Sequence, residues 1–599
     1  MTERCRRFAV LSLPVIALLL VPALVMADDP WKPLPKENPV LSNELVQMAK
    51  GSDAAPLKAW VFFSDKGLLS GKSYAGALEG AERDLHPKAR ARREKMGRDG
   101  VLVGYHDLGV PREYIDRVLA TGAEERAVSR YLNGMSVEAP LSVLEEIAAF
   151  PFVRQVRPVR TFSRREVSPD GPPPAQPMGK QSFYNLDYGS SLGQVEMMQV
   201  PTLHDQGYDG TGVRICLLDT GFKRSHDALG AVNVVDEWDF VDDDGNTAPE
   251  AGDPSDQHDH GTLILSLIGG YLPGELIGPA YGAEFLLAKT EDKTQEQPIE
   301  EDWWVEGVEW GDSLGADIIS SSLGYKDWYT YADMDGNTAT TTIAADLAAW
   351  NGILVCTSAG NEGGDTWNYI IAPADADSTI ATGAVWSDTS LAYFSSRGPT
   401  YDDRIKPDLV AQGVYTHGAD PYDDHSYTYC HGTSCSNPLL AGAVALLLEA
   451  YPGWNPQDLI AALKATATQS SAPDTAMGWG LIQAADALTQ VTGVLGSGGE
   501  ESTPPAVGQS LRITASPNPF NPTVTLNVNA EKRTALTVQI MDARGRLVRT
   551  LFQGEVGAGE HPIVWSGKDG SGADVPSGVY FAYARGAGTT TTQKIYLIR

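Results

Sequence analysis

The sequence predicts an α/β fold, a parallel sheet flanked by helices, preceded by a small α+β unit and followed by a β-sandwich. Between about residues 182 and 493, short apolar runs alternate with helix-length stretches, the pattern of strands that return parallel only through a crossover helix. Two stretches, "SPDGPPPAQP" (Ser168–Pro177) and "GSGGEESTPPAVG" (Gly496–Gly508), suit neither a helix interior nor a central strand and bracket that region as linkers. Beyond the second, a Val/Thr/Tyr-rich tail carries turn signals ("DARGR", "GKDGSG", "PSGVY") at the intervals of a sandwich.

Taken in chain order, residues 1–27 have a basic start, an apolar stretch from Phe8 to Met26 and small residues suited to cleavage after Ala27, which reads as a secretory signal. The competing reading, a membrane anchor, lacks basic stop-transfer residues, because "ADDPWKP" follows at once. Residues 28–165 form the α+β unit. There "KAWVFF" is a strand, Tyr74 to Arg98 a helix ending in the basic run "KARARREK", "AVSRYLNGMSVEA" a strand region, "LSVLEEIAAF" an amphipathic helix and "PFVRQVRPV" a closing strand. A linker spans 166–181. In the central domain, 182–493, "VRICLLD", "EFLLAKT", "ADIISSSLG" and "GILVCTSAGN" read as strands. "HGTLILSLIGGY", "EEDWWVEGVEWGDSLG" and "TTIAADLAAW" read as the helices between them. A second linker covers 494–508, and 509–599 reads as a seven-strand-like, immunoglobulin-type sandwich. No internal repeat is seen.

With 46 Lys+Arg against 77 Asp+Glu, the formal charge of −31 makes nucleic acid and anionic membrane surfaces poor partners. Of the five cysteines, Cys5 leaves with the signal, while Cys216, Cys356, Cys430 and Cys435 enter an oxidising compartment, too few for a disulfide-dense scaffold.

A serine hydroxyl attacks a carbonyl only when a base takes its proton and an acid orients that base. Asp219 ends the strand "VRICLLD", His260 opens an apolar helix, and Ser434 opens another, where backbone N–H groups and the helix dipole favour developing negative charge. Asn361 offers a side-chain amide to the same charge. The segments "LLDTG", "HGT", "SAGNEG" and "HGTSCSNPLLAG" stand in the order Asp, His, Ser, with "SSLGY", "FSSRGP" and "KPDLVAQGV" among them. In these the chain resembles the subtilisin-like serine peptidases over roughly Ser182 to Val491. The resemblance implies that Asp219 orients, His260 is base and acid, Ser434 attacks and Asn361 holds the oxyanion. It also implies that Ser322, Leu323 and Gly324 on one side, and Ser358, Ala359, Gly360 and Glu362 on the other, wall the pocket for the residue before the cut.

Bland alternatives stand beside these readings. Asp219 is otherwise a strand-end acid, Ser434 a helix cap, and His431, in the second "HGT", an imidazole beside the cleft. Cys435 gains nucleophilicity from a helix N-terminus, but no motif aims a base at it, and a Cys430–Cys435 disulfide is an open alternative. Leu263 and Asn437 depart from the family pattern. The acidic stretches "DDDGNTAPEAGD" (Asp242–Asp253) and "DMDGN" (Asp333–Asn337) are first read as solvated turns, with structural calcium the alternative, and no cofactor is required for the chemistry. His258 and His260 lack further ligands at zinc spacing.

Residues 58–159 resemble the inhibitory propeptide of such peptidases, and 511–599 resemble sorting domains of type IX secretion and the immunoglobulin-like domain of hook-capping proteins. The expectation is a secreted bacterial serine endopeptidase made as a zymogen. Its partners are then protein or peptide substrates, its own propeptide as inhibitor and, through the tail, secretion machinery. A catalytically inactive scaffold for surface binding is the alternative from another class. An α/β-hydrolase is disfavoured because Ser436 stands where Gly-x-Ser-x-Gly needs its second Gly, and both partners precede Ser434.

Overall fold

The computed structural model describes residues 32–49, 55–68, 70–98, 100–159, 184–293, 300–326, 329–495 and 511–597, the last range interrupted at 517–522, 531, 543–546, 571–574, 576–577 and 587–588. The signal, both linkers' low-complexity runs and part of the tail's turn motifs lie outside these residues. The chain divides into two compact units, Met1–Val491 and Thr492–Arg599.

In the first unit the N-terminal part is an antiparallel sheet in the order Glu124–Ser129, Gly134–Ala139, Leu57–Phe63, Val153–Pro158. Its strands alternate as strands must. Ala59, Val61 and Phe63 pack with Ile115 and Val118 of helix Arg112–Leu119 and with Leu144 and Ile147 of helix Leu141–Ala149, while Trp60 and Phe62 take the opposite face. That opposite face meets helix Glu300–Ser313, where Ser136 Oγ donates to Asp302 at 2.6 Å and Val128 N–H donates to Glu306 at 3.3 Å. The single helix expected from Tyr74 to Arg98 is instead two, Gly71–Arg83 and Pro87–Glu94. Pro87 has no N–H and its ring clashes with the preceding turn, so it opens a new helix, with His86 as the cap.

The central part is a seven-stranded parallel sheet flanked by helices. Its order is Leu409–Gln412, Ile380–Val385, Leu354–Ser358, Ile318–Ser321, Arg214–Asp219, Glu284–Lys289, Asn233–Asp239. Alternate residues feed two cores. Ile215, Leu217, Phe285, Leu287 and Ile318 join helices Asp259–Gly269 and Thr433–Ala450 on one face. Cys216, Leu218, Leu286, Ala288 and Ile319 join helices Glu300–Ser313 and Thr340–Trp350 on the other. The chain reverses its order across the sheet between Arg214–Asp219 and Ile318–Ser321, and beyond the carboxyl ends of strands at such a switch point lies the crevice of an open α/β sheet.

The second unit has, among the described residues, seven strands in two antiparallel sheets. Val524, Leu526 and Val528 of one and Val538, Ile540, Ala582 and Ala584 of the other close a core around Trp565.

Candidate active site

Asp219 is the last residue of a central strand and is fully buried. Its Oδ1 accepts from Thr220 N–H at 2.8 Å and lies 2.6 Å from His260 Nδ1, so the acid holds one imidazole nitrogen and fixes the ring's plane. His260 is the second residue of helix Asp259–Gly269 and is 5% exposed. The two residues are 41 positions apart and meet because strand and helix end at the same edge.

Ser434 lies in the first turn of helix Thr433–Ala450, half-exposed between the buried Thr433 and Cys435. Gly432, at φ +131°, turns the chain into this helix but has no side chain to cap it. The cap comes from another loop: Asn361 Oδ1 accepts from Thr433 N–H at 2.9 Å and from Thr433 Oγ1 at 3.0 Å. With Oδ1 so engaged, Asn361 Nδ2 turns toward Gly432, where a Cβ would lie 3.3 Å from it. Pro438 has no N–H for the Ser434 carbonyl, the i−4 acceptor of a regular helix. Ser322 Oγ takes that carbonyl at 3.1 Å, and Ser434 Oγ lies 3.4 Å from the Ser322 carbonyl.

Asn437 is fully buried. Its Nδ2 donates to the Ser321 carbonyl at 3.1 Å and the Cys356 carbonyl at 3.3 Å, while its Oδ1 accepts from Thr382 Oγ1 at 3.1 Å. It therefore bolts the serine's helix to three neighbouring strands. In the sequence Asn437 stands out only as a departure from the family pattern, and its hydrogen-bonding capacity beside a proline is the signal of this role. Cys430 and Cys435 form a disulfide across Ser434, with Cα atoms 6.3 Å apart, so Cys435 carries no free thiol. His431 Nδ1 accepts from Tyr415 N–H at 3.1 Å and its ring stands edge-on to Tyr415, and burial lowers its pKa.

The two expected pocket walls lead off the carboxyl ends of neighbouring parallel strands. Ser322 follows strand Ile318–Ser321 and leads into Leu323 and Gly324, while Ser358 ends strand Leu354–Ser358 and leads into Ala359 and Gly360. Ile371, absent from the sequence-based reading, packs between them: a Cβ at Gly324 would lie 2.5 Å from its Cδ1, and one at Gly360 3.1 Å from the same atom. Glu362 is buried and 2.8 Å from Lys326 Nζ. Burial and then Asp365 hold its carboxyl above the usual range, despite that lysine.

The first acidic stretch already faces a cation of the chain. Lys289 Nζ lies 2.7 Å from Asp239, 3.1 Å from Asp242 and 3.4 Å from Asp253. In the second, Asp335 accepts from Asn337 N–H at 2.9 Å, as in an Asx turn, and Asp333 accepts from Thr330 N–H at 2.7 Å, closing a capping box. His258, over the edge of Tyr422, has its pKa lowered by burial. Among the described residues no group of three or more His, Cys, Asp or Glu side chains is placed to hold a metal.

Residues 210–480 match the model of the subtilase family, 58–171 the peptidase S8 propeptide domain of Bacteroidota, and 512–587 the FlgD Ig-like domain. Subtilisin E of Bacillus subtilis (strain 168) is 33% identical over 276 residues, 46% of this chain, and the chain spans only 65% of that relative's length. The subtilisin of Bacillus pumilus is 32% identical over 276 residues and is covered over 90% of its length. Among solved structures, fervidolysin from Fervidobacterium pennivorans, a keratinolytic enzyme related to subtilisin, shares the fold with a TM-score of 0.53 at 19% identity, over 89% of this chain and 71% of that one.

Proposed function

The chain belongs to the subtilase family, and from that premise we propose that it is a secreted serine endopeptidase, made as a zymogen, that cuts peptide bonds through an acyl-enzyme on Ser434. The observation that carries the reading is the buried 2.6 Å contact between Asp219 Oδ1 and His260 Nδ1, because only a base held in one tautomer presents the other nitrogen to a serine. His260 Nε2 takes the Ser434 proton as Oγ bonds to the scissile carbonyl carbon and the carbonyl electron pair moves onto oxygen. The Asn361 amide and the N–H of Ser434 receive that oxyanion. On collapse the C–N bond breaks, His260 gives its proton to the leaving amine, and the acyl group stays on Oγ. Water, deprotonated by the same imidazole, then releases it.

Residues 28–165 are the propeptide in this proposal, 182–493 the peptidase and 509–599 the immunoglobulin-like tail, which addresses the chain to secretion machinery. The test is self-processing. A linker joined to its own cleft has a high effective concentration, so even slow chemistry cuts it. The purified wild type acquires a new N-terminus between about Val159 and Lys180, read by terminal sequencing, while Ser434→Ala stays uncut there. If both remain whole and the wild type leaves casein intact across pH and calcium, the binding-scaffold reading replaces this one.

A further inference from the structure

Three sources of negative charge converge beneath the propeptide. Helices Glu300–Ser313 and Thr340–Trp350 both end there, and a helix C-terminus carries the negative pole of its dipole. Asp312, fully buried in the last turn of the first helix, has the wrong sign for that position. Within the central domain Arg214 Nη1 donates to the Leu314 carbonyl just past the first helix, but among the described residues that domain offers Asp312 itself only an amide, Asn351 Nδ2, at 3.1 Å from Asp312 Oδ2.

The propeptide supplies the cations. Arg92 donates through Nε to the carbonyl of Asn351, the C-cap of the second helix, at 3.0 Å, through Nη1 to the Ala316 carbonyl in the loop after the first helix, and through Nη2 to Asp312, so one guanidinium ties both connections to the carboxylate. Arg93 Nη2 donates to Asp312 Oδ2 at 2.7 Å, and Arg130 Nη2 reaches the same oxygen at 3.2 Å. Both residues of the Arg92–Arg93 pair are nearly inaccessible, at 3% and 2% exposure. The backbones also fit. Gly315 and Gly352 turn the chain out of the two helices, and a Cβ there would lie 2.6 Å from Lys88 Cβ and 3.2 Å from Arg92 Cγ respectively, so helix Pro87–Glu94 rests on both turns. This is the basic run "KARARREK", which the catalytic reading leaves without a purpose.

We infer that the paired ends of helices Glu300–Ser313 and Thr340–Trp350, with Asp312 between them, are a docking site for a two-arginine helix, separate from the catalytic cleft, and that this site keeps the propeptide on the enzyme after the linker is cut. The regulatory meaning rests on the zymogen reading above; the docking does not. Burial by itself would raise the Asp312 carboxyl, but Arg92, Arg93 and Arg130 outweigh it and hold it at about 2, so mild acid does not open the clamp. Beside it lies a cavity of about 500 Å³, lined by Lys66, Leu85, His86, Arg93, Arg130 and Asp312. Arg92, Arg93 and Asp312 are themselves almost wholly excluded from water, so salt screens the clamp only weakly.

The experiment uses the full chain as Ser434→Ala, with a site-specific protease sequence inserted between residues 168 and 177 so that the cut needs no activity of its own. After cutting, the propeptide co-elutes with the remainder on native size exclusion at sub-micromolar concentration. In the Arg92→Ala, Arg93→Ala variant it elutes separately, at least a hundredfold more weakly bound. Asp312→Asn, which changes one atom and leaves the propeptide untouched, weakens retention at least tenfold, and combining it with the arginine changes adds less than the product of the two effects. Should the arginine variants fail to fold, Asp312→Asn decides alone. Retention of the propeptide as tight as in the parent, in either the arginine or the Asp312 variant, overturns the inference. Because Ser434→Ala is inert throughout, an inactive wild type would sink the peptidase reading and leave this site standing, and the converse holds.

Discussion

Asn361 offers the sharpest separation of chemistry from architecture. Its Oδ1 accepts two hydrogen bonds from Thr433, at 2.9 and 3.0 Å, and so caps the serine's helix, while its Nδ2 is the proposed oxyanion donor. Asn361→Asp keeps both bonds to Thr433 and adds negative charge at a helix N-terminus, which stabilises the fold. It also replaces the N–H donor with a carboxylate oxygen. Loss of one such donor costs about 10²–10³ in kcat. A carboxylate about 4 Å from the oxyanion, at an effective dielectric of about 20, adds roughly 4 kcal/mol, close to another factor of 10³. Asn361→Ala loses the donor alone on the catalytic side, about 10²–10³. It also strips the cap, which costs about 1–3 kcal/mol of stability. Activity therefore falls in the order wild type, Ala, Asp, whereas stability is lowest for Ala. Maturation of each variant is completed by a trace of wild-type protein removed through a tag. Active sites are then counted with a fluorophosphonate, kcat/KM is measured on a chromogenic peptide amide, and denaturant midpoints are read. An Asp variant at least as active as the Ala variant would refute the oxyanion role and leave Asn361 as a cap only.

Three further outcomes are expected. Ile371→Gly vacates the space between Gly324 and Gly360, so kcat/KM for an aromatic residue before the cut rises at least tenfold relative to alanine; an unchanged ratio on a peptide panel would mean that Ile371 does not bound the pocket. Lys289→Met leaves the fully buried Asp239 without its 2.7 Å partner and lowers unfolding free energy by about 3–5 kcal/mol in denaturant titrations, with a loss under about 1 kcal/mol counting against that pairing. Burial pushes the half-buried Glu306 carboxyl from 4.5 up to about 8, opposed by the hydrogen bond from Val128 N–H and reinforced by Asp302 and Glu309. The folded value lies above the unfolded one, so the native state takes up a proton and this contribution is present at low pH and lost as pH rises through about 8. The melting temperature of Ser434→Ala accordingly falls between about pH 5 and 9, and Glu306→Gln flattens the fall; equal slopes would exclude Glu306 as its source.

The sequence by itself determined whatever depends on a local period or a short string. The strands Arg214–Asp219, Glu284–Lys289 and Ile318–Ser321 were legible as apolar runs between helical stretches, and Asp219, His260, Ser434 and Asn361 stood out through their short flanking motifs. The break at Pro87 was written there too, but the helical charge pattern on both sides obscured it. Strands Ile380–Val385 and Leu409–Gln412 went unread, because apolar runs of four to six residues are not distinguishable by period from pieces of buried helix. Only the tertiary structure decided which polar groups meet. His260 lies 41 residues from Asp219, Thr433 lies 72 from Asn361, and Arg92 lies 220 from Asp312. Lys289 among its carboxylates, Asn437 across three strands and Ile371 between two glycines were likewise beyond the sequence, and the Cys430–Cys435 bond, which the sequence leaves as one alternative, is decided by the fold. Periodicity reports which face of an element is buried, whereas the partner of a buried charge or amide is set by the order in which strands enter the sheet, and that order brings together ends that are remote along the chain.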